Sequence, residues 1–370
     1  MTLNDDVKSL LENQISNDRQ IGVQVCAYQY GEKIVDSWAG TMGPNDPRPV
    51  LRDTLFCSWS TSKGIAATAL HIQADKGLIE YDLPVTHYWP EFGKHGKDKL
   101  TVGQAISHQA GIYETPSLEN REVFCEWDKS LKFVENAVPA FEPGTSVGYH
   151  AVTFGWIVGG IIQHATGRHI IEVIREDIAE PLGLESEMYV GIPDGVEDRL
   201  TTLEIWDSTT MEFPEDHPFL KAMPHELWGL VNETWFRKAC LPAANGHFTA
   251  NALAKVYGAL ANEGVVEGVR LVSSERVGFM NKLMTEAFDV VGEMPSNKSM
   301  GFMLGGVEGS AYGSRRTAFG HGGAGGSYGL ADPEVGLSIG ITLNKMMIEM
   351  EPAEERAAKI CQLIRRELGV

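Results

Sequence analysis

The chain has 370 residues, 43% of them hydrophobic and 22% charged, with 31 Lys+Arg against 50 Asp+Glu for a net charge of −19. That hydrophobic share excludes a disordered chain, and the length suits two packed regions better than one small core. A surface so negative repels phosphate, which argues against nucleic acid and against anionic lipid as partners.

The first residues, MTLNDDVKSLLENQ, carry acids where a secretory leader has a basic region, and no apolar stretch follows before Gln14. No apolar run approaches the roughly 20 residues of a membrane span. The expectation is a cytoplasmic protein with no membrane contact. Residues 4–16 read as an amphipathic helix, with Val7, Leu10 and Leu11 at helical spacing. Residues 21–39 read as a β-hairpin: Val23, Val25 and Ala27 alternate, and Gly31-Glu32 makes the turn. Leu55-Phe56 ends a short strand. Ser60 to Lys76 is a helix rich in Ala, Ile and Leu, stopped by Gly77.

Residues 78–240 carry helical patterns and loops. Ala151–Ala165 is a strongly apolar helix closed by Gly167, and Arg168–Ile178 continues helically until Pro181 breaks it. The stretch 200–240 sets Trp206, Trp228 and Trp235 among Pro, Asp and Glu without a clean period, which reads as a long loop or lid. Residues 249–263 are helical again. Strands return at Gly301–Val307, Thr317–Leu330 and Val335–Asn344, and 352–368 closes as an amphipathic helix with Ile360, Leu363 and Ile364 inward. Strand-rich ends therefore enclose a helical middle. This predicts a sheet domain of residues 1–75 plus 240–370, an inserted helical domain of 76–239, and a lid-like loop at about 200–240.

The five cysteines (Cys26, Cys57, Cys125, Cys240, Cys361) are scattered and odd in number, which reads as reduced, mostly buried thiols. There is no Cys-x-x-Cys and no His-Glu-x-x-His among the 11 histidines, so neither a metal nor a cofactor is expected.

Three motifs carry chemistry. Ser60-Thr61-Ser62-Lys63 places a hydroxyl and an ammonium on one face at a helix start. A serine needs a base to become a nucleophile, and a desolvated lysine can be one. The helix N-terminus adds a field that favours anionic oxygen. Alone the motif is weak, since about one Ser-x-x-Lys arises by chance in a chain this long. Pro143-Gly144-Thr145-Ser146-Val147-Gly148-Tyr149 makes a tight turn that presents Tyr149 before a rigid helix, and a phenol can share a proton and pass it on. Gly320-His321-Gly322-Gly323-Ala324-Gly325-Gly326 allows close approach to backbone N–H groups, with His321 beside them as a polar or switchable partner. A decoy overlaps the third motif. Gly325-Gly326-Ser327-Tyr328-Gly329 matches Gly-x-Ser-x-Gly, but the strand-to-helix turn that motif needs is not predicted here.

Taken in this order and spacing, with Tyr149 about ninety residues after Ser60, the motifs resemble the serine β-lactamase and penicillin-binding-protein clan. Leu100-Thr101-Val102…Ser107-His108-Gln109-Ala110-Gly111-Ile112 is similar to a Leu-Thr-x-x-x-Leu-Leu-x-His-x-Ser-Gly-Leu segment common there. Phe248-Thr249-Ala250 and Leu260-Ala261-Asn262-Glu263-Gly264 fit as well, so the likeness spans roughly residues 20–345. Within the clan the chain looks most like class C β-lactamase-like serine hydrolases, family VIII carboxylesterases included. The resemblance implies an α/β (α+β) fold: an antiparallel sheet flanked by terminal helices, with a mostly helical domain inserted. It implies Ser60 as nucleophile, Lys63 as its base partner and Tyr149 as second proton carrier. It also implies an oxyanion hole from the Ser60 and Ala324 N–H groups, and His321 where penicillin-recognising members carry Lys. Two departures stand out. Ala151 replaces an asparagine, and His321-Gly322-Gly323 replaces Lys-Thr-Gly.

The expected function is hydrolysis of carboxylic esters of small or medium, apolar substrates through an acyl-enzyme on Ser60. Trp59, Gly322, Gly323, Trp206, Trp228 and Trp235, with Phe236, are the candidates for substrate contact. An amidase or D-aminopeptidase-like activity, weak β-lactamase activity, acyl transfer, and a non-catalytic scaffold or sensor are the alternatives. The expected partner is a small-molecule ester or amide, and a homo-oligomer stays open.

Overall fold

The computed structural model describes residues 2–205, 213–214, 216–347 and 355–370. Helix α1 (Leu3–Ser16) starts with a capping box: Asp5 N–H donates to the Thr2 hydroxyl, and Thr2 N–H donates to the Asp5 carboxylate at 2.8 Å. Strands β1 (Gly22–Gln29) and β2 (Glu32–Gly43) form the hairpin. Its turn is Tyr30-Gly31, one residue earlier than the sequence suggests. Both residues have positive φ (50° and 82°), as a two-residue hairpin turn needs.

Strand β3 (Asp46–Pro49) follows, and β4 (Met303–Leu304), β5 (Phe319–Gly322), β6 (Tyr328–Asp332) and β7 (Leu337–Leu343) come from the far end of the chain. Together they make one antiparallel sheet ordered β4-β5-β6-β7-β1-β2-β3, so the two ends of the chain meet where Val23 faces Leu343 and Val25 faces Ile341. Period-two alternation then builds two cores. Val23, Val25 and Ala27 pack with Val7 and Leu11 of α1 and with Ile360 and Ile364 of helix α5 (Arg356–Leu368). Cys26 and Tyr28 on the other face join the larger core, which holds most of the remaining helices.

Helix α2 (Thr61–Asp75) runs through that larger core, buried from Thr61 to Ala74, and Gly77 follows at φ 75°. Its Ala-rich sequence suits a helix enclosed on all sides. Helix α3 (Thr153–Thr166) ends at left-handed Gly167, as read from the sequence. Helix α4 (Ala250–Ala261), capped by the Thr249 hydroxyl, packs under the sheet.

Three local readings need correction. Pro181 does not break the helix. A π-turn (Arg175–Ala179) feeds a last turn, Glu180–Leu182, and the stop is Gly183 at φ 65°. Proline is accommodated there because the π-turn directly before it replaces the α-helical hydrogen-bond pattern that a proline would interrupt. The described part of the 200–240 stretch is not a loop. It holds Pro218–Ala222, His225–Gly229, Leu230–Asn232 and Thr234–Lys238, with Leu227, Trp228, Val231 and Phe236 buried. Helices of three to five residues are too short to show a period. A small three-stranded sheet of Phe56–Cys57, Gly246–Phe248 and Met188–Val190 escaped the sequence reading for the same reason, apart from its first strand.

Among the described residues no helix is long and apolar enough to cross a membrane, and no cluster of His, Cys, Asp or Glu could hold a metal ion. All five cysteines are free: Cys26, Cys57 and Cys361 buried, Cys240 half-buried and Cys125 exposed.

Candidate active site

Ser60 caps α2 and is 9% exposed. The residue before it, Trp59, sits at φ 45°, a left-handed conformation that costs a bulky side chain on the order of 1–3 kcal/mol. Surrounding contacts hold it there. The Ser62 hydroxyl donates to the Trp59 carbonyl and accepts from Gly246 N–H at 2.8 Å. The Trp59 ring packs on Trp228, 5.2 Å between centroids, and on Phe236 at 6.1 Å. Strain at this turn was not visible in the sequence.

One helical turn on, Lys63 is wholly buried. Its Nζ lies 2.9 Å from Ser60 Oγ, 2.7 Å from the Ala151 carbonyl oxygen and 2.9 Å from the Ala243 carbonyl oxygen. No carboxylate touches it among the described residues. Burial alone pushes its pKa well below the ordinary lysine value.

Tyr149 sits at the entry to α3, its ring centroid 4.8 Å from Lys63 Nζ. Burial pushes its phenol up, and a hydrogen bond with Ser60 offsets part of that rise. The ring rests on His108, at 4.9 Å, which also has positive φ. His108 Nδ1 accepts from His150 N–H at 3.0 Å, and the Tyr149 N–H donates to Asp289 Oδ1 at 3.0 Å. His108 and His150 are both pushed down by burial, so they are neutral packing groups behind the tyrosine.

The glycine-rich segment runs along the far side. Gly323 is pressed against the turn before Ser60: a Cβ there would lie 2.1 Å from the Ser58 carbonyl oxygen. The Thr61 hydroxyl donates to the Ser327 carbonyl at 3.3 Å, tying the start of α2 to the same segment. The turn that carries Ala324 is thus held against the start of α2, and neither the Ser60 nor the Ala324 N–H has an acceptor among the described residues. The glycines serve close approach, but by the protein itself. At Gly322 the neighbour is the Tyr328 ring, at 2.8 Å from a built Cβ.

His321 is buried, with its ring centroid 6.3 Å from that of Tyr149. Its Nδ1 is 2.7 Å from the Gly322 carbonyl, to which it can only donate, so Nε2 carries the lone pair. That Nε2 has no partner among the described residues. Burial, then Lys63, pushes the imidazole down to about 3. At neutral pH it is therefore a neutral acceptor, the polar one of the two roles the sequence offered.

Of the aromatic candidates, Trp59 and Trp228 are each 3% exposed and lie in the core behind Ser60. Trp235 packs one layer further out, on Phe236 and Phe124. They pack behind the turn that carries Ser60. Trp206 lies outside the described residues. Ser327 is followed by β6 and no helix, as expected of a decoy.

The sequence profile of the family described as Beta-lactamase matches residues 7–362. The chain is 30% identical over 348 residues to the "Esterase/beta-lactamase LipL" of Mycobacterium tuberculosis (strain ATCC 25618 / H37Rv), covering 88% of this chain and 77% of that one. Among solved structures it is similar to a family VIII carboxylesterase, with TM-score 0.89, 33% identity and 98% of each chain covered. It is also similar to a penicillin-binding protein homologue from Caulobacter crescentus, with TM-score 0.90, 31% identity, and 98% of this chain and 97% of that chain covered.

Proposed function

The chain belongs to the beta-lactamase family and is a serine hydrolase of that fold; on this premise we propose that it cleaves carboxylic esters, with Ser60, Lys63 and Tyr149 as its catalytic residues. The observation that carries this is the environment of Lys63 Nζ. Two of its three partners are carbonyl oxygens, which can only accept. A neutral amine has two N–H groups for those two carbonyls, and its lone pair is left for the Ser60 hydroxyl proton. The missing carboxylate and full burial favour that neutral form.

In this reading Lys63 takes the Ser60 proton as Oγ attacks the ester carbonyl. The Ser60 and Ala324 N–H groups receive the oxyanion, each strong donor supplying about 3 kcal/mol in comparable sites. Tyr149, kept protonated by burial, gives its proton to the departing alkoxide and is reprotonated from Lys63. Water then attacks the acyl-Ser60 ester, the same pair takes its proton and returns it to Ser60 Oγ, and the acid leaves. The neutral His321 Nε2 supports esters without a carboxylate over β-lactams, because a lone pair does not hold an anion. A cytoplasmic location fits this reading.

Hydrolysis of p-nitrophenyl butyrate by wild type and Ser60→Ala is the test. Wild type turns over, and the variant loses at least about a thousandfold. A variant that keeps more than this has another nucleophile.

A further inference from the structure

The segment between residues 284 and 298 belongs to none of the three motifs, yet it reaches the tyrosine. Phe288–Asp289 and Met294–Pro295 pair as a short hairpin with left-handed Glu293 at its tip. Val290 N–H donates to the Val147 carbonyl at 2.9 Å, so the hairpin lies along the turn that presents Tyr149. Asp289, 2% exposed, points inward. Its Oδ1 accepts from the N–H groups of Tyr149 (3.0 Å), Val291 (2.9 Å) and Gly292 (3.1 Å). Its Oδ2 accepts from Lys298 Nζ at 2.7 Å, and the Lys298 side chain is 4% exposed. Lys298 bridges to Met303 of β4, and β4 pairs with β5, the strand of His321. One buried carboxylate therefore joins the tyrosine turn to the sheet edge that carries the other side of the site.

A buried ion pair is an expensive way to hold a loop, since apolar residues of the same volume often do as well or better. What this pair adds is a fixed geometry, since four donors converge on one carboxylate at the tyrosine turn. We propose that Asp289, paired with Lys298, is the positioning residue for Tyr149: by holding the tyrosine N–H and the hairpin beside it, the pair keeps the phenol in place beside Lys63 and Ser60, where it acts as the acid for the leaving group. Burial would raise the carboxyl of Asp289 itself, but Lys298 and the backbone donors outweigh that and hold it below its ordinary range, so the charge is present at neutral pH. This rests on the reading of Tyr149 as general acid, and the experiment separates the two.

An acid matters most when the leaving group is poor. Ethyl butyrate leaves as a basic alkoxide that needs a proton, whereas p-nitrophenyl butyrate leaves as a stable phenolate that hardly does. Asp289→Asn keeps an acceptor oxygen for the Tyr149 N–H but gives up the ion pair with Lys298 that ties the tyrosine turn to the sheet edge. The expected loss in kcat/KM is about 30-fold for ethyl butyrate and no more than about threefold for p-nitrophenyl butyrate. Tyr149→Phe shows the same selective pattern, more strongly, and Asp289→Asn added to it costs less than about a further twofold. The ratio of the two esters does not depend on the fraction of enzyme that is folded. If Asp289→Asn cannot be purified, Lys298→Gln, which leaves one carboxylate oxygen unpartnered, gives a smaller loss with the same selectivity. Equal losses on both esters in Asp289→Asn, with a selective loss in Tyr149→Phe, overturn the positioning role alone. Equal losses in Tyr149→Phe overturn the acid role of the tyrosine and the proposal with it.

Discussion

Lys63 and Lys298 are both buried, both within the surroundings of Tyr149, and differently partnered. Lys63 Nζ faces a hydroxyl and two carbonyls. Lys298 Nζ faces the Asp289 carboxylate at 2.7 Å. Burial weighs against the ammonium in both places. At Lys298 the opposite charge offsets part of that cost, and the pair serves as an anchor. At Lys63 no charge offsets it, which is what favours a neutral amine there. Lys97 is a third case: wholly buried, with Nζ donating to the Glu135 and Ala137 carbonyls, it is pushed down only to about 8 and has no hydroxyl to serve. Burial sets the cost of the charge, but the neighbouring group decides whether a buried lysine becomes a base, an anchor or neither.

The sharpest way to break that contrast is to remove each amine in turn. Lys63→Met keeps the volume and deletes the base. Turnover of p-nitrophenyl butyrate is expected to fall by about 10³- to 10⁴-fold, and mass spectrometry should find no acyl-Ser60 on the variant. An enzyme that still acylates at more than a hundredth of the wild-type rate has a base elsewhere.

Lys298→Met acts on the other member. It strands the Asp289 carboxylate, 3% exposed, without its cation, and breaking a buried pair in this way costs about 3–5 kcal/mol. Urea unfolding should show that loss in the midpoint at an unchanged slope. A loss below about 1 kcal/mol would mean that water or the three backbone donors already carry the carboxylate.

The two lysines also differ in how far the sequence reveals them. Ser60 and Lys63 are three apart, so helical geometry alone predicts that they meet, and Tyr149 stands out through the turn residues before it. The glycines at 77 and 167 mark the helix stops. Asp289 and Lys298 carry no such signal. The N–H that Asp289 accepts from Tyr149 lies 140 residues away in the chain, and only the folded molecule brings them together. The same holds for Trp59, whose backbone strain is imposed by Ser62 and Gly246 and not by its own identity. His108 was visible as part of a matched segment, but its place under the Tyr149 ring was not. Trp59 and Trp228 proved to be core residues, because size and hydrophobicity are shared by core and cleft residues alike. The five-residue helices of 218–238 fell below the length at which a period can be read.

The last prediction is the smallest in energy and tests the contrast without any substrate. In the unfolded chain Lys63 takes up a proton below its ordinary value of 10.5, whereas in the folded chain it does so only well below that. Between the two, unfolding binds a proton. Stability there rises with pH and is lost as pH falls, because the unfolded state gains the proton that the folded state refuses. Methionine at the position has no such window. Lys63→Met is therefore expected to be inactive yet more stable than wild type, by about 1–2 kcal/mol or about 1–3 °C in melting temperature at pH 7. The gap should narrow at pH 9.5, where the unfolded lysine is less readily protonated. Melting curves of the two proteins at both pH values decide it. A gap that stays constant, or a variant that melts below wild type at pH 7, would mean that Lys63 enters the fold charged. It would then be an anchor of the same kind as Lys298, and its lone pair would not be there for Ser60.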